Sequence, residues 1–393
     1  MNNDCFQDHF DGITVMVMQW GQFIDHDLVF TPEATDNRCC EDFRTLTPTS
    51  SNCVPIDVRG DPFYSSLSTT VNCLPFVRSR VATCTNSRNR ETINERTAYL
   101  DASMVYGSTV SIANNLRTFS GGKLKAGPGS ETLTCTGSTP DICPWSFLPS
   151  GSGSGGNEFF AGDSRVRSSH HLLRFIHFLF GHSLIPNAFH LSNGNIIQLA
   201  ETFNNHGVTL NTNSFPSHFL GGIIDQQAMP MDQMLVDAIS NKLFAQSPFE
   251  FGSDLYARNI QRGRDHGIPG YVAWHNSCVD QDPSRTINSF NDLVGRMPNC
   301  VISAFQNLYA TVHDIDLFPA GIAEFEVPGG LVGPTFACII AEYFSDPQIW
   351  RPILVSREWG QVSSISATRL SSLICLFTNV DVIQPNVMLP HGG

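Results

Sequence analysis

Apolar residues recur at the helical period in a few segments, and long polar loops separate them. The stretch Met18–Leu28 reads as a helix that stops before Thr31-Pro32. Residues 112–119 form one or two turns closed by Gly121-Gly122. Residues 168–185 place apolar side chains at 172, 175, 176 and 179, and Pro186 ends that helix. Further helices are expected over 230–244 (Leu235, Ile239 and Leu243 on one face), 254–261, 289–297, 301–309 and 334–344. Strand-like alternation is scarce, and no internal repeat is found. The fold class is mainly α with long loops. Residues 31–90, rich in Cys, Pro, Ser and Thr, read as a disulfide-pinned loop region, and the run Gly151–Gly156 reads as a surface loop. No linker divides the chain, so 1–393 is taken as one domain.

Composition narrows the class. A hydrophobic content of 41% supports a sizeable core, and a formal charge of −13 disfavours nucleic acid and anionic membrane surfaces. The 12 cysteines include no Cys-x-x-Cys pair. Disulfides in an oxidising, extracellular compartment therefore fit better than zinc ribbons. Met1-Asn-Asn-Asp-Cys5 carries no signal-peptide pattern, so a secreted reading places the true start upstream. The most apolar run, 172–185, is interrupted by Arg174, His177 and His182, and no transmembrane segment is expected.

Candidate chemistry gathers in four places. On the first helix Gln22 and His26 lie four residues apart on one face with Asp25 beside them, while Asp27 projects elsewhere. Thr97, Asp101 and Ser103, with the carbonyl of Tyr99, offer hard oxygen donors of the kind Ca²⁺ takes, and Asp27 supplies a second carboxylate. A buried helix with satisfied polar groups, and a polar loop capped by Asp101, are the bland alternatives. Of the four histidines in 168–185, His182 follows Gly181, whose missing side chain lets a flat macrocycle approach. Asn259 offers an amide to orient a metal-bound imidazole, and Arg262, three residues on, offers a fork to a carboxylate. Arg264 and Asp265 are expected to pair with each other. Arg165, in Phe160-Ala-Gly-Asp-Ser-Arg165, is a cation suited to charge developing on a peroxide oxygen.

Together these segments resemble the animal haem peroxidases, with the flavour of the invertebrate peroxinectin and peroxidasin branch. The resemblance rests on 18–30, the block around Pro55-Ile56 and Asp61-Pro62, and Asp101-Ala-Ser-Met-Val-Tyr-Gly-Ser108. It continues through 161–166, Phe178–Pro186, Arg264-Asp-His-Gly-Ile-Pro-Gly270 and Gly330-Leu-Val-Gly-Pro-Thr-Phe-Ala-Cys338. It implies a helical fold with haem inside. His26 matches the distal histidine, Gln22 the distal glutamine and Arg165 the distal arginine. His182 matches the proximal iron ligand and Asn259 its hydrogen-bond partner, with Arg262 toward a propionate. Asp27, Thr97, Tyr99, Asp101 and Ser103 match the calcium ligands, and Asp25 the aspartate that esterifies one haem methyl. The implied activity is reduction of H₂O₂ coupled to oxidation of a halide, thiocyanate, phenol or tyrosyl donor. Cys278 and Cys338 are implied as a disulfide.

The chain also departs from the pattern. After Val166 it runs through Arg167-Ser-Ser-His-His171 almost directly into the proximal segment, where the family carries several helices. The second ester glutamate falls at about Ser168, so at most one ester link is expected. An arginine before the proximal histidine is replaced by Leu179, and Cys375 is left without its partner. A second reading follows: a catalytically impaired extracellular adhesion or matrix protein on the peroxidase scaffold, with a cell-surface or matrix partner. It is drawn from the lost block beside Arg165 and the lost second ester, and no Arg-Gly-Asp or Lys-Gly-Asp tripeptide is expected behind it.

Overall fold

Helix α1 (Val15–Leu28) starts where the chain leaves an extended Thr14 and ends where Val29 returns to extended backbone. Its entry is fixed from far along the chain. The Thr14 hydroxyl donates to the Val387 carbonyl (2.7 Å) and the Val15 amide to the Gln226 carbonyl (2.8 Å). Val15, Met16 and Met18 then enter the main core beside Leu184, Ile185, Phe189 and Ile223. The computed structural model describes residues 12–35, 39–48, 50–82, 92–96, 102–107, 109–120, 180–203, 215–245, 250–279, 284–345, 369–377 and 383–390, with Cys5, Asp282 and Val380.

The described chain is mostly helical, as expected. Besides α1, the elements that frame the site are α2 (Ser103–Tyr106), α3 (Phe215–Ile223), α4 (Leu255–Asp265), α5 (Tyr271–Cys278), α6 (Leu317–Gly321) and α7 (Pro334–Ser345). Two small antiparallel hairpins accompany them. β1 (Ile56–Asp57) pairs with β2 (Cys73–Leu74), and β3 (Ala188–His190) with β4 (Ile196–Gln198). α5 packs against α6 and α7, α4 against α6 and β1, and α1 against α2 and a 3-10 turn at Phe180–His182.

The cysteine-rich region is pinned as predicted. Cys39–Cys53 and Cys40–Cys73 close loops over a small second core of Val58, Tyr64, Val71 and Leu74. Cys278–Cys338 ties α5 to α7, Cys5–Cys300 joins distant parts of the chain, and Cys375 is free.

Several expected helices come out differently. Over 230–244 only Asp237–Ser240 is helical. The Asp232 carboxylate takes the Met234 amide (2.7 Å) and Asn187 takes the Ala238 amide (3.1 Å), so side chains outcompete the helix start. Over 289–297 a capping box of Ser289 and Asp292 closes one 3-10 turn, Phe290–Leu293, and Gly295 then turns at φ +80°. α4 runs on to Asp265 rather than stopping at 261, and α3, α5 and the helix Leu370–Phe377 form where the sequence pattern gives no helix. Of the expected helix over 168–185, only the end from 180 falls within the described residues.

Candidate functional site

The site begins with the faces of α1. Asp27 is buried (1% exposed) toward α2, where its carboxylate accepts the Ala102 amide (2.9 Å). The Met104 amide (3.4 Å) and Ser103 hydroxyl (3.5 Å) lie at its other oxygen. His26, one residue earlier, is only half-buried and faces away from that contact, the divergence of roughly 100° expected of neighbours on a helix.

His26 Nδ1 lies 3.2 Å from the Gln22 carbonyl one turn back. A carbonyl only accepts, so this contact holds the proton on Nδ1 and leaves Nε2 with the lone pair. Burial, with the positive Arg96 nearby, pushes the His26 pKa down to about 4. Burial pushes Asp25 up to about 7. The two side chains approach to 3.8 Å, yet near neutral pH His26 is uncharged, and the contact is not an ion pair.

The Phe180–His182 turn packs against α1, which brings the second histidine segment beside the first. The His182 pKa is pushed down to about 4 by burial. From α4, Asp254 caps the helix start through the Ala257 amide (3.1 Å), and Leu255 and Asn259 share its buried face. The side-chain amide nitrogen of Asn259 stands 2.8 Å from His182 Nδ1. In that orientation the amide donates to Nδ1. A half-turn of the amide puts its oxygen there, moves the imidazole proton to Nδ1 and frees Nε2 as a metal ligand. A Cβ built on Gly21 of α1 or on Gly181 beside His182 meets nothing within 4 Å. Open space at both histidine segments, two neutral imidazoles and an amide behind one of them fit a flat, metal-centred prosthetic group such as haem. For calcium, the described part of the predicted set also fits: a buried carboxylate beside the Ser103 hydroxyl. Among the described residues no cluster of three or more His, Cys, Asp or Glu side chains forms a metal site.

Thr97, Tyr99, Asp101 and Arg165 lie outside the described residues, as do Ser168, His170, His171, His177 and Leu179. Arg262 already has protein partners. Its guanidinium is committed to Glu33 (2.9 Å), the Val77 carbonyl (3.0 Å), the Ser79 hydroxyl (3.0 Å) and Asp265 (3.4 Å), above the Phe76 ring. Glu33, carried in by the chain leaving α1, binds one nitrogen of the fork that the resemblance directs toward a propionate. Arg264 and Asp265 do not pair either. Arg264 binds Asp316 (2.7 Å) and Asp265 binds Arg78 (2.6 Å), because consecutive helical residues point apart.

Two features escaped the reading of motifs. Asn94 and Arg96, just before the predicted calcium segment, grip the end of α1, and only tertiary contact reveals it. The tripeptide Arg59-Gly60-Asp61 stands plainly in the sequence, so the expectation that none is present is wrong. It forms a β-turn closed by the Asp61 amide on the Val58 carbonyl (3.1 Å), with Arg59 and Gly60 exposed and Gly60 at φ +84°.

Comparison with known proteins agrees with this architecture. The family model described as animal haem peroxidase matches residues 1–180 and 174–388. Eosinophil peroxidase of Homo sapiens is 28% identical over 491 residues, covering 96% of this chain and 66% of the relative. A peroxidasin homolog of Caenorhabditis briggsae is 26% identical over 504 residues, covering 97% of this chain and 38% of the relative. Identity to that peroxidasin is no higher than to eosinophil peroxidase. An alignment of 491 positions against a 393-residue chain leaves many positions of the relative without a counterpart here. The family match likewise restarts at 174, close to the break read after Val166. This chain thus spans just under two thirds of the eosinophil peroxidase. Among solved structures, peroxidase A of Dictyostelium discoideum shares the fold, with TM-score 0.68 and 19% identity over 98% of this chain and 89% of that one. With the family model matching over nearly the whole chain, this chain belongs to the animal haem peroxidase family.

Proposed function

We propose that this protein is an extracellular haem peroxidase that reduces H₂O₂ and oxidises a halide, thiocyanate, or phenolic or tyrosyl donor. The observation that carries the reading is the contact of Asn259 with His182 Nδ1, in a turn packed against the helix that bears His26. Bound haem would supply the iron at which peroxide is reduced, with His182 as its protein ligand and Asn259 setting that imidazole's basicity. His26 Nε2, kept free by the Gln22 carbonyl, accepts a proton from peroxide and returns it to the departing oxygen. Gln22 and Arg165 are assigned as the distal amide and cation. Asp25, whose free carboxyl burial pushes up to about 7, is assigned as the single ester residue, a link that would remove its charge from beside His26. Asp27 and Ser103, with Thr97, Tyr99 and Asp101, are assigned to calcium, which would brace α1 against α2. The test is reconstitution with haem. A Soret band and H₂O₂-dependent oxidation of guaiacol should appear, and both should be lost in His182→Ala. A folded protein that stays colourless with excess haem refutes the reading.

A second reading, adhesion to a cell-surface partner, is favoured by the exposed Arg59-Gly60-Asp61 turn and is compatible with the first. Arg59 holds Asp57 in a solvent-exposed ion pair (2.6 Å), the kind that costs little to exchange for a partner's carboxylate. Asp61 uses Oδ1 to cap the next helix through the Phe63 and Tyr64 amides. Cells bearing integrins should attach to the immobilised protein, and a soluble Arg-Gly-Asp peptide should release them. Attachment indifferent to the peptide removes this reading.

A further inference from the structure

The last four carbonyls of any α-helix lack intrahelical donors. In α1 the Asp25 carbonyl is taken by the Val29 amide (2.8 Å) as the helix ends. Beyond that the chain is extended, and the Phe30 amide, which one more turn would have delivered to His26, goes instead to Asn94 Oδ1 (2.8 Å). A separate segment, 92–96, fills the gap. Asn94 Nδ2 donates to the Leu28 carbonyl (2.9 Å), and its Oδ1 also accepts the Arg96 amide (3.1 Å). The Glu95 amide donates to the Phe30 carbonyl (2.8 Å), and Glu95 is ion-paired with Arg80. Arg96 Nε then donates to the carbonyl of His26 itself (3.1 Å), and its guanidinium stacks over the Phe30 ring at 4.9 Å.

We propose that Arg96 is a positioning residue for His26: by capping the His26 carbonyl and stacking on Phe30 it locks the last turn of α1 and fixes the direction of the imidazole. Its place in peroxide chemistry rests on the peroxidase reading above; the clamp itself does not. The physical reason is local. His26 is in the final turn, where helices fray, and its Nδ1 is held by a carbonyl only one turn back. If the last turn loosens, that contact loosens and Nε2 loses its aim. A charge-assisted bond to the same residue's carbonyl prevents this without occupying the ring. Asn94 alone cannot do so, since its three bonds go to Leu28, Phe30 and Arg96 and none reaches His26.

The test compares Arg96→Leu with Arg96→Lys, because lysine retains a cationic donor while leucine retains only bulk. In the protein without haem, amide exchange across residues 24–30 should quicken about tenfold or more in Arg96→Leu. Exchange elsewhere should be unchanged, and Arg96→Lys should restore most of the protection. With haem, kcat/KM for H₂O₂ should fall in Arg96→Leu, KM for the electron donor should not move, and the lysine variant should recover the rate. Unchanged exchange at 24–30, or a loss of protection spread over the whole chain, overturns the proposal. If the wild-type protein with haem shows no turnover, the peroxidase reading fails, and the exchange comparison still decides the clamp.

Discussion

His26 and Asp25 are neighbours whose ionisation is displaced in opposite senses by the same burial. The His26 pKa is lowered to about 4, so as pH falls from 6.5 the unfolded chain takes the proton first and the fold loses stability down to about 4. His182 adds a second contribution of the same sign. Asp25 is raised to about 7, so its unfolded form ionises first and the fold loses stability as pH rises from 3.8 toward 7. Asp25→Asn should therefore stabilise the haem-free protein at pH 8, and the gain should vanish toward pH 4. Urea unfolding at the two pH values checks this, and a gain independent of pH would contradict it. In turnover, a base with a pKa of about 4 should keep the acid limb of kcat/KM for H₂O₂ well below the usual histidine range.

At the scale of elements, the junction of α1 and α2 hangs on one buried side chain. Asp27 receives the Ala102 amide just ahead of α2, so Asp27→Ala strands that donor and should cost about 1–3 kcal/mol even without metal. If calcium sits at Asp27 and Ser103, EDTA should lower the melting temperature of wild type and leave Asp27→Ala unmoved. Equal melting of wild type with and without EDTA would count against the calcium assignment. α1 was legible in the sequence because its apolar face, its histidine spacing and the following Thr31-Pro32 all agree. The segment 230–244 departs from its periodicity for the opposite reason. Leu235, Ile239 and Leu243 keep a helical period, but Asp232 and Asn187 hold the backbone amides in turns. Periodicity reports burial of a face, and here the face is buried without a continuous helix.

At the scale of the whole molecule, the C-terminal third is held by a buried polar knot and a covalent tie. Glu324, almost fully buried, accepts the Tyr271 hydroxyl (2.7 Å), the Thr335 hydroxyl (2.7 Å) and the Thr335 amide (2.8 Å) at the start of α7. Gly333 has to be glycine there, because a Cβ would fall 2.2 Å from the Glu324 side chain. The Cys278–Cys338 disulfide joins the same two helices across 60 residues. Cys338→Ser should cost roughly 2–4 kcal/mol in chemical denaturation. A loss much smaller than that would mean that the Glu324 knot alone holds α5 to α7.

The sequence by itself determined the family, the predominance of helix, the cysteine-pinned loop region and the two histidines, Gln22, Asp27 and Asn259 as candidates. Those signals are short-range: spacing along one helix, or a contiguous motif. Only the tertiary structure decided where the charged side chains went. Arg262 meets Glu33, Arg264 meets Asp316 and Arg96 meets the His26 carbonyl, each across a gap in sequence that no local pattern encodes. A long, flexible cation can reach any acceptor within its radius, and which one it finds depends on how distant segments pack.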